Sequence, residues 1–67
     1  MTKEQAAADL ELPKASDVTK GSMSTSQVWR NAFDWYNQYV NTGRPLRLQC
    51  RPCYAKVYMA LREAKND

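Results

Sequence analysis

The sequence predicts an all-α fold: a helical hairpin, with helices over about 25–41 and 52–65, an extended connector between them, and an N-terminal arm in front. Three observations carry this. Apolar residues recur at helical spacing in two separate stretches. Pro45 and Pro52 punctuate the segment between those stretches. Every aromatic side chain lies beyond residue 28, so the means of building a core are confined to the second part of the chain.

The first 22 residues have few large apolar side chains, namely Leu10, Leu12, Val18 and the initial methionine. Such a segment cannot by itself bury enough surface to offset the entropy of ordering. It reads as an arm over 1–22, flexible alone or ordered by a partner. The composition allows one short helix over 3–11: Thr2 and Gln5 fit a reciprocal cap, and Ala6, Ala7 and Ala8 favour helix. Pro13 ends it, and "PKASDVTKGSMSTS" reads as an extended linker.

Residues 23–67 form the helix–connector–helix module. In "SMSTSQVWRNAFDWYNQYVNTG", Ser24 and Gln27 fit a capping box and Gly43 fits a C-terminal stop. Val28, Trp29, Ala32, Phe33, Trp35, Tyr36, Tyr39 and Val40 fall in one arc of about 160° at 100° per residue. Arg30, Asn31, Asp34, Asn37, Gln38 and Asn41 fill the other side, where Arg30 and Asp34 have pairing distance along the helix. The connector "TGRPLRLQCR" is extended: Pro45 excludes the helical conformation at Arg44, and Leu46 and Leu48 alternate inward against Arg47 and Gln49. In the last helix Pro52 suits the first position, and Cys53, Tyr54, Val57, Tyr58, Ala60, Leu61 and Ala64 share a face. Met59 departs from that pattern and projects on the polar side between Ala55 and Glu63.

Two helices bury too little for a chain this small to stand alone, and the apolar arc of the first is too wide for one neighbour. Trp29, Phe33, Tyr36 and Val40 make one edge of it, and Trp35 and Tyr39 the other. One edge is expected to meet the second helix and the other a second chain, with tryptophan and tyrosine as the anchors. The arm and connector covering that second edge is the competing arrangement.

Charge is unevenly spread. Residues 1–22 hold three lysines and four acids, whereas residues 23–67 hold seven basic and three acidic side chains. From Arg44 to Arg62 there are five basic residues and no acid. Arg44, Arg47, Arg51, Lys56 and Arg62 are therefore candidate phosphate contacts, and a helix start beside them adds backbone donors. The outward face of the second helix has little with which to read bases, so binding to nucleic acid is expected to be non-specific and salt-dependent. A plain solvated basic face accounts for the same residues.

Several chemistries are excluded. The chain has no histidine, so no Cys–His or Ser–His base and no Cys₂His₂ site exists. There is no phosphate-cradling glycine loop, and the acids are scattered. No catalytic constellation, cofactor or small-molecule substrate is expected. No run of 18 apolar residues spans a membrane, and "MTKEQAAADLELPK" lacks the apolar core of a secretory signal. A reducing compartment is then expected, where a structural disulfide is disfavoured. "CRPC" offers only two of four zinc ligands. Cys50 at a helix start beside Arg51 has the surroundings of a reactive thiol, but the chain has no room for the βαβ setting of thioredoxin-type motifs. The plainer reading makes Cys53 a core residue and leaves Cys50 in the last extended turn.

"CRPCYAKVYMAL", preceded by "WYNQYVNTGRPLRL", resembles short uncharacterised proteins of Bacteroides-infecting tailed phages (crAss-like) and related mobile elements, over residues 29–61. The resemblance implies a small phage-encoded accessory protein, located in the virion or host cytoplasm. The leading expectation is a non-enzymatic interaction protein that docks into a larger assembly, such as a capsid or head–tail structure, or onto copies of itself. Its expected contacts are Trp29, Trp35, Tyr36, Tyr39, Met59, Leu10 and Leu12. A small basic DNA- or RNA-binding factor and a redox or zinc protein using Cys50 and Cys53 are the alternatives.

Overall fold

A computed structural model describes residues 2–20, 26–41 and 43–66. Four helices follow in order: α1 (Lys3–Ala8), α2 (Ala15–Lys20), α3 (Gln27–Tyr39) and α4 (Arg51–Lys65). Among the described residues there is no strand, and the fold is all-α. The helix α4 is the hub: it touches each of the other three, and α1 also packs on α3.

The α3–α4 hairpin forms where the periodicity places it. Ser26 caps α3 by accepting the Trp29 N–H at 3.3 Å. Ser24, the expected cap, lies outside the described residues. The far end closes before Gly43. Val40 and Asn41 both donate their N–H groups to the Tyr36 carbonyl, each at 2.9 Å, and the Asn41 side-chain amide donates to the Arg44 carbonyl. Asparagine thus turns the chain where glycine was expected to. α4 starts one residue early, with Cys50 as its N-cap and Arg51 at N1, so Pro52 takes the second helical position. Proline is tolerated there because first-turn N–H groups have no partner within the helix.

The hairpin core is aromatic. The Trp29 and Phe33 rings each meet Tyr54 edge-on, with centroids 4.6 and 4.9 Å away, and Trp29 meets Phe33 at 6.2 Å. Rings gain most in such edge contacts because the positive rim of one faces the negative face of another. Val57 and Leu61 of α4 are fully buried beside them.

The arm holds the short helix expected in it, but it is ordered by its own chain, not flexible and not ordered by a partner. It folds back onto its own chain and shares one core with the hairpin. Thr2 and Gln5 exchange reciprocal cap bonds, both 3.2 Å, which start α1. Ala7 of α1 is wholly buried, its small side chain letting the helix approach α4 closely. The Trp35 indole N–H donates to the Lys3 carbonyl at 2.8 Å. At the other end of α1, the Lys65 ammonium donates to the carbonyls of Ala7, at 3.2 Å, and Leu10. The Ala7 carbonyl also accepts the Leu10 N–H at 3.0 Å, and the cation adds to that bond and suits the C-terminal end of the helix dipole.

The expected linker also holds structure, since residues 15–20 form α2. Its sequence has weak helical preference, and contacts outweigh that. Val18 is half-buried against the core, and the Asp17 carboxylate accepts the Trp29 indole N–H at 3.1 Å. Two segments that lack a core of their own thus pack on the hairpin, and each makes one polar bond to a tryptophan of α3.

Candidate functional site

The connector that precedes α4 is pinned from two sides. Asn37 on α3 donates its amide to the Leu46 carbonyl at 2.9 Å and accepts the Leu46 N–H at 2.7 Å. One side chain therefore satisfies both backbone groups of Leu46, as a neighbouring strand would. From the other side, the Tyr54 hydroxyl donates to the Leu48 carbonyl at 2.7 Å. Leu46 and Leu48 face inward and are half-buried, so the residues that alternate with them must face out. Arg47 and Gln49 are exposed for that reason, whereas Arg44, in phase with the leucines, is exposed in the bend at residues 43–44.

A turn, closed by the Cys50 N–H donating to the Arg47 carbonyl at 3.0 Å, carries the chain into α4. There the cations continue. Arg51, Lys56 and Arg62 lie on the side of α4 turned away from Tyr54, Val57 and Leu61, and all three are exposed. Glu63 is the acid on that side of the helix. A groove of about 400 Å³ between α3 and the connector brings Arg30 to the same surface as Arg47, with Gln27, Asp34, Asn37 and Gln49 as further polar lining. Arg30 and Asn37 were placed only on the outer face of a helix by their spacing. Their part in this surface depends on how the connector returns, which periodicity within a helix does not encode.

The aromatic contacts expected for a partner divide differently. Trp29 is 0% exposed and Trp35 3%, both inside the core. They cannot anchor a second chain in this fold, because α1, α2 and α4 already cover them. Leu10, Leu12, Tyr36 and Tyr39 are half-buried and pack on the same core, with only part of each surface left outside. Met59 alone of the expected anchors is well exposed, at 58%, on the outer side of α4.

Cys50 and Cys53 are bonded to each other, where a structural disulfide had been disfavoured. Residues three apart at a helix start fall at the right separation: their Cα atoms are 5.3 Å apart. Cys53 is buried and Cys50 half-buried. Among the described residues no group of three or more Cys, His, Asp or Glu side chains comes together, and the two sulfurs a zinc ion would need are engaged with one another. No described helix is long and apolar enough to cross a membrane.

What the arrangement offers is an exposed cationic edge in two parts: Arg44 and Arg47 on a connector held by the Asn37 and Tyr54 bonds, and Arg51, Lys56 and Arg62 on the outer side of α4. Comparison with protein-family models, with curated proteins and with solved structures finds no match for the chain.

Proposed function

We propose that this chain is a small non-enzymatic interaction protein that presents its cationic edge to nucleic-acid phosphates. The observation that carries the reading is the exposure of all five cations between Arg44 and Arg62, on a stretch with no acid. Phosphate contacts need side chains in water with rigid footing, and the connector supplies that through Leu46 and Leu48. Arg30 beside Arg47 widens the edge toward α3. The outer side of α4 offers Ala55, Met59 and Glu63 between its cations, which suits backbone contact without base readout.

The test is the salt dependence of binding to a short DNA duplex, read by fluorescence anisotropy. Five neutralised phosphates correspond to a slope of log K against log salt of about −4 to −5. A slope near zero, or no binding at low salt, would reject the reading.

A second reading is favoured by one observation, the exposed Met59 at the centre of the outer side of α4. A flexible thioether there fits docking onto a protein surface, with the neighbouring cations meeting acidic residues. In that reading the chain is an accessory component of a larger assembly, a phage particle being the setting its resemblance to crAss-like phage proteins implies. It would then dock through α4 and not through its arm and tryptophans.

A further inference from the structure

We infer that the Cys50–Cys53 disulfide is a redox-exchangeable site, one that accepts two electrons from a dithiol through attack at Cys50. The bond has little structural work to do. It links residues three apart, and the stabilisation a crosslink gives by restricting the unfolded chain is smallest for the shortest loops. The segment it sits in is already fixed, by Asn37 on Leu46 and by Tyr54 on Leu48. α4 itself is held by Tyr54, Val57 and Leu61.

The surroundings favour exchange instead. The two sulfurs are unequal: Cys53 is 5% exposed, while Cys50 is half-buried at the surface. An open hollow of about 430 Å³ borders both, lined otherwise by Pro45, Leu46, Arg47 and Gln49. An incoming thiol therefore has room beside the pair, with Pro45 and Leu46 as apolar lining and Arg47 as a cation. Cys50 also occupies the N-cap of a 15-residue helix, and its side chain makes no capping hydrogen bond in the bonded state. A negative sulfur at that position faces the positive end of the helix, with Arg51 one residue on and Arg47 three residues back. The reduced state thus gains a favourable interaction that the disulfide lacks. That is the condition under which a disulfide readily gives up its bond.

The reaction balances as follows. The thiolate of the dithiol attacks Cys50 Sγ, and the Cys50–Cys53 bond breaks with its electron pair leaving on Cys53 Sγ, which takes a proton from water. The second thiol of the dithiol, losing its proton to water, attacks its own sulfur in the mixed disulfide. That closes a disulfide in the donor and releases Cys50 as a thiolate. The donor loses two electrons and the pair gains them.

Linkage supplies the test. A structural disulfide is stabilised by the fold; an exchangeable one of this kind is destabilised by it. The full chain is equilibrated in dithiothreitol redox buffers, folded and in urea, then trapped with acid and an alkylating agent and read by mass. Folding should shift the equilibrium toward the dithiol by about tenfold or more. An equilibrium unchanged by folding, or shifted toward the disulfide, would overturn the proposal. The surface variant Arg47→Glu/Arg51→Glu should move the folded chain back toward the disulfide by about threefold or more, and no movement would count against the helix-end argument. Reaction with oxidised glutathione identifies the sulfur: Cys53→Ala, which leaves Cys50, should form the mixed disulfide about tenfold faster than Cys50→Ala, which leaves Cys53. Equal or reversed rates would contradict the assignment of Cys50 as the sulfur attacked.

Discussion

Asn37→Ala is the substitution that most directly joins fold to site. It removes two hydrogen bonds, of 2.9 and 2.7 Å, that tie α3 to the backbone of Leu46. Each bond of this kind contributes about 1 kcal/mol net, and a half-buried Leu46 left with an unmet N–H and C=O adds to that. The expected loss is about 2 kcal/mol. For a chain of this size about 1 kcal/mol corresponds to roughly 4–8 °C in Tm, so the melting temperature should fall by roughly 8–16 °C. Circular dichroism melts of the wild type, Asn37→Ala and Asn37→Asp give the assay. The aspartate keeps an acceptor for the Leu46 N–H and loses the donor to the Leu46 carbonyl, so it should fall between the other two if the bonds act separately. An Asn37→Ala change within about 0.5 kcal/mol of wild type would match an ordinary surface residue and refute the clamp.

The other predictions concern the arm, the core and the basic edge. Lys65→Met keeps the side-chain length and removes the donor to the Ala7 and Leu10 carbonyls; chemical denaturation should show a loss of about 1–3 kcal/mol, and no loss would mean that the arm is not held at its end. Leu61→Ala opens a cavity in a fully buried site and should cost about 2–5 kcal/mol by urea unfolding. Met59→Ala, on the open side of α4, should change stability by less than about 0.5 kcal/mol while weakening a protein partner in pull-down or light scattering if the docking reading holds. Arg44→Glu/Arg47→Glu should leave the melt nearly unchanged and weaken duplex binding at least about tenfold at low salt, as measured by anisotropy.

Much of the hairpin was legible because helices announce themselves by repetition. Val57, Leu61 and Ala64 lie on one face at i, i+4 and i+7, and that face is the buried one. Leu46 and Leu48 alternate and both turn in, although only residues 45–47 lie between the bend at 43–44 and the turn at 48–49. The short helix of the arm was legible in Thr2, Gln5 and the alanines, but its attachment was not, for a physical reason. Its attachment uses the backbone carbonyls of Lys3, Ala7 and Leu10, and every residue has a carbonyl. Nothing in "KEQAAADL" marks those three as acceptors for Trp35 and Lys65. The wide apolar arc of α3 did signal that a second surface must cover it; that the cover comes from the same chain required the long-range path. α2 is the same case in smaller form, a weak helix placed by Asp17 and Val18. In the site, the cations could be read directly as charge. The footing of Arg44 and Arg47 depends on Asn37, whose polar character alone gave it to solvent. The cysteines show the limit of compartment reasoning: the expectation of reduced thiols rested on the residues "MTKEQAAADLELPK" far from the pair, whereas pairing follows from two sulfurs set three apart at a helix start.

The central claim is that the aromatic residues serve the core and the cations face the partner. Titrating the ¹⁵N-labelled chain with a short DNA duplex at low salt, and following backbone amide and indole N–H signals, tests both halves together. The account predicts shifts at Arg44, Arg47, Arg51, Lys56 and Arg62 that fade as salt rises, with the Trp29 and Trp35 indole signals unmoved in their bonds to Asp17 and Lys3. Shifts centred on the two indoles, or none along the cationic edge, would contradict it.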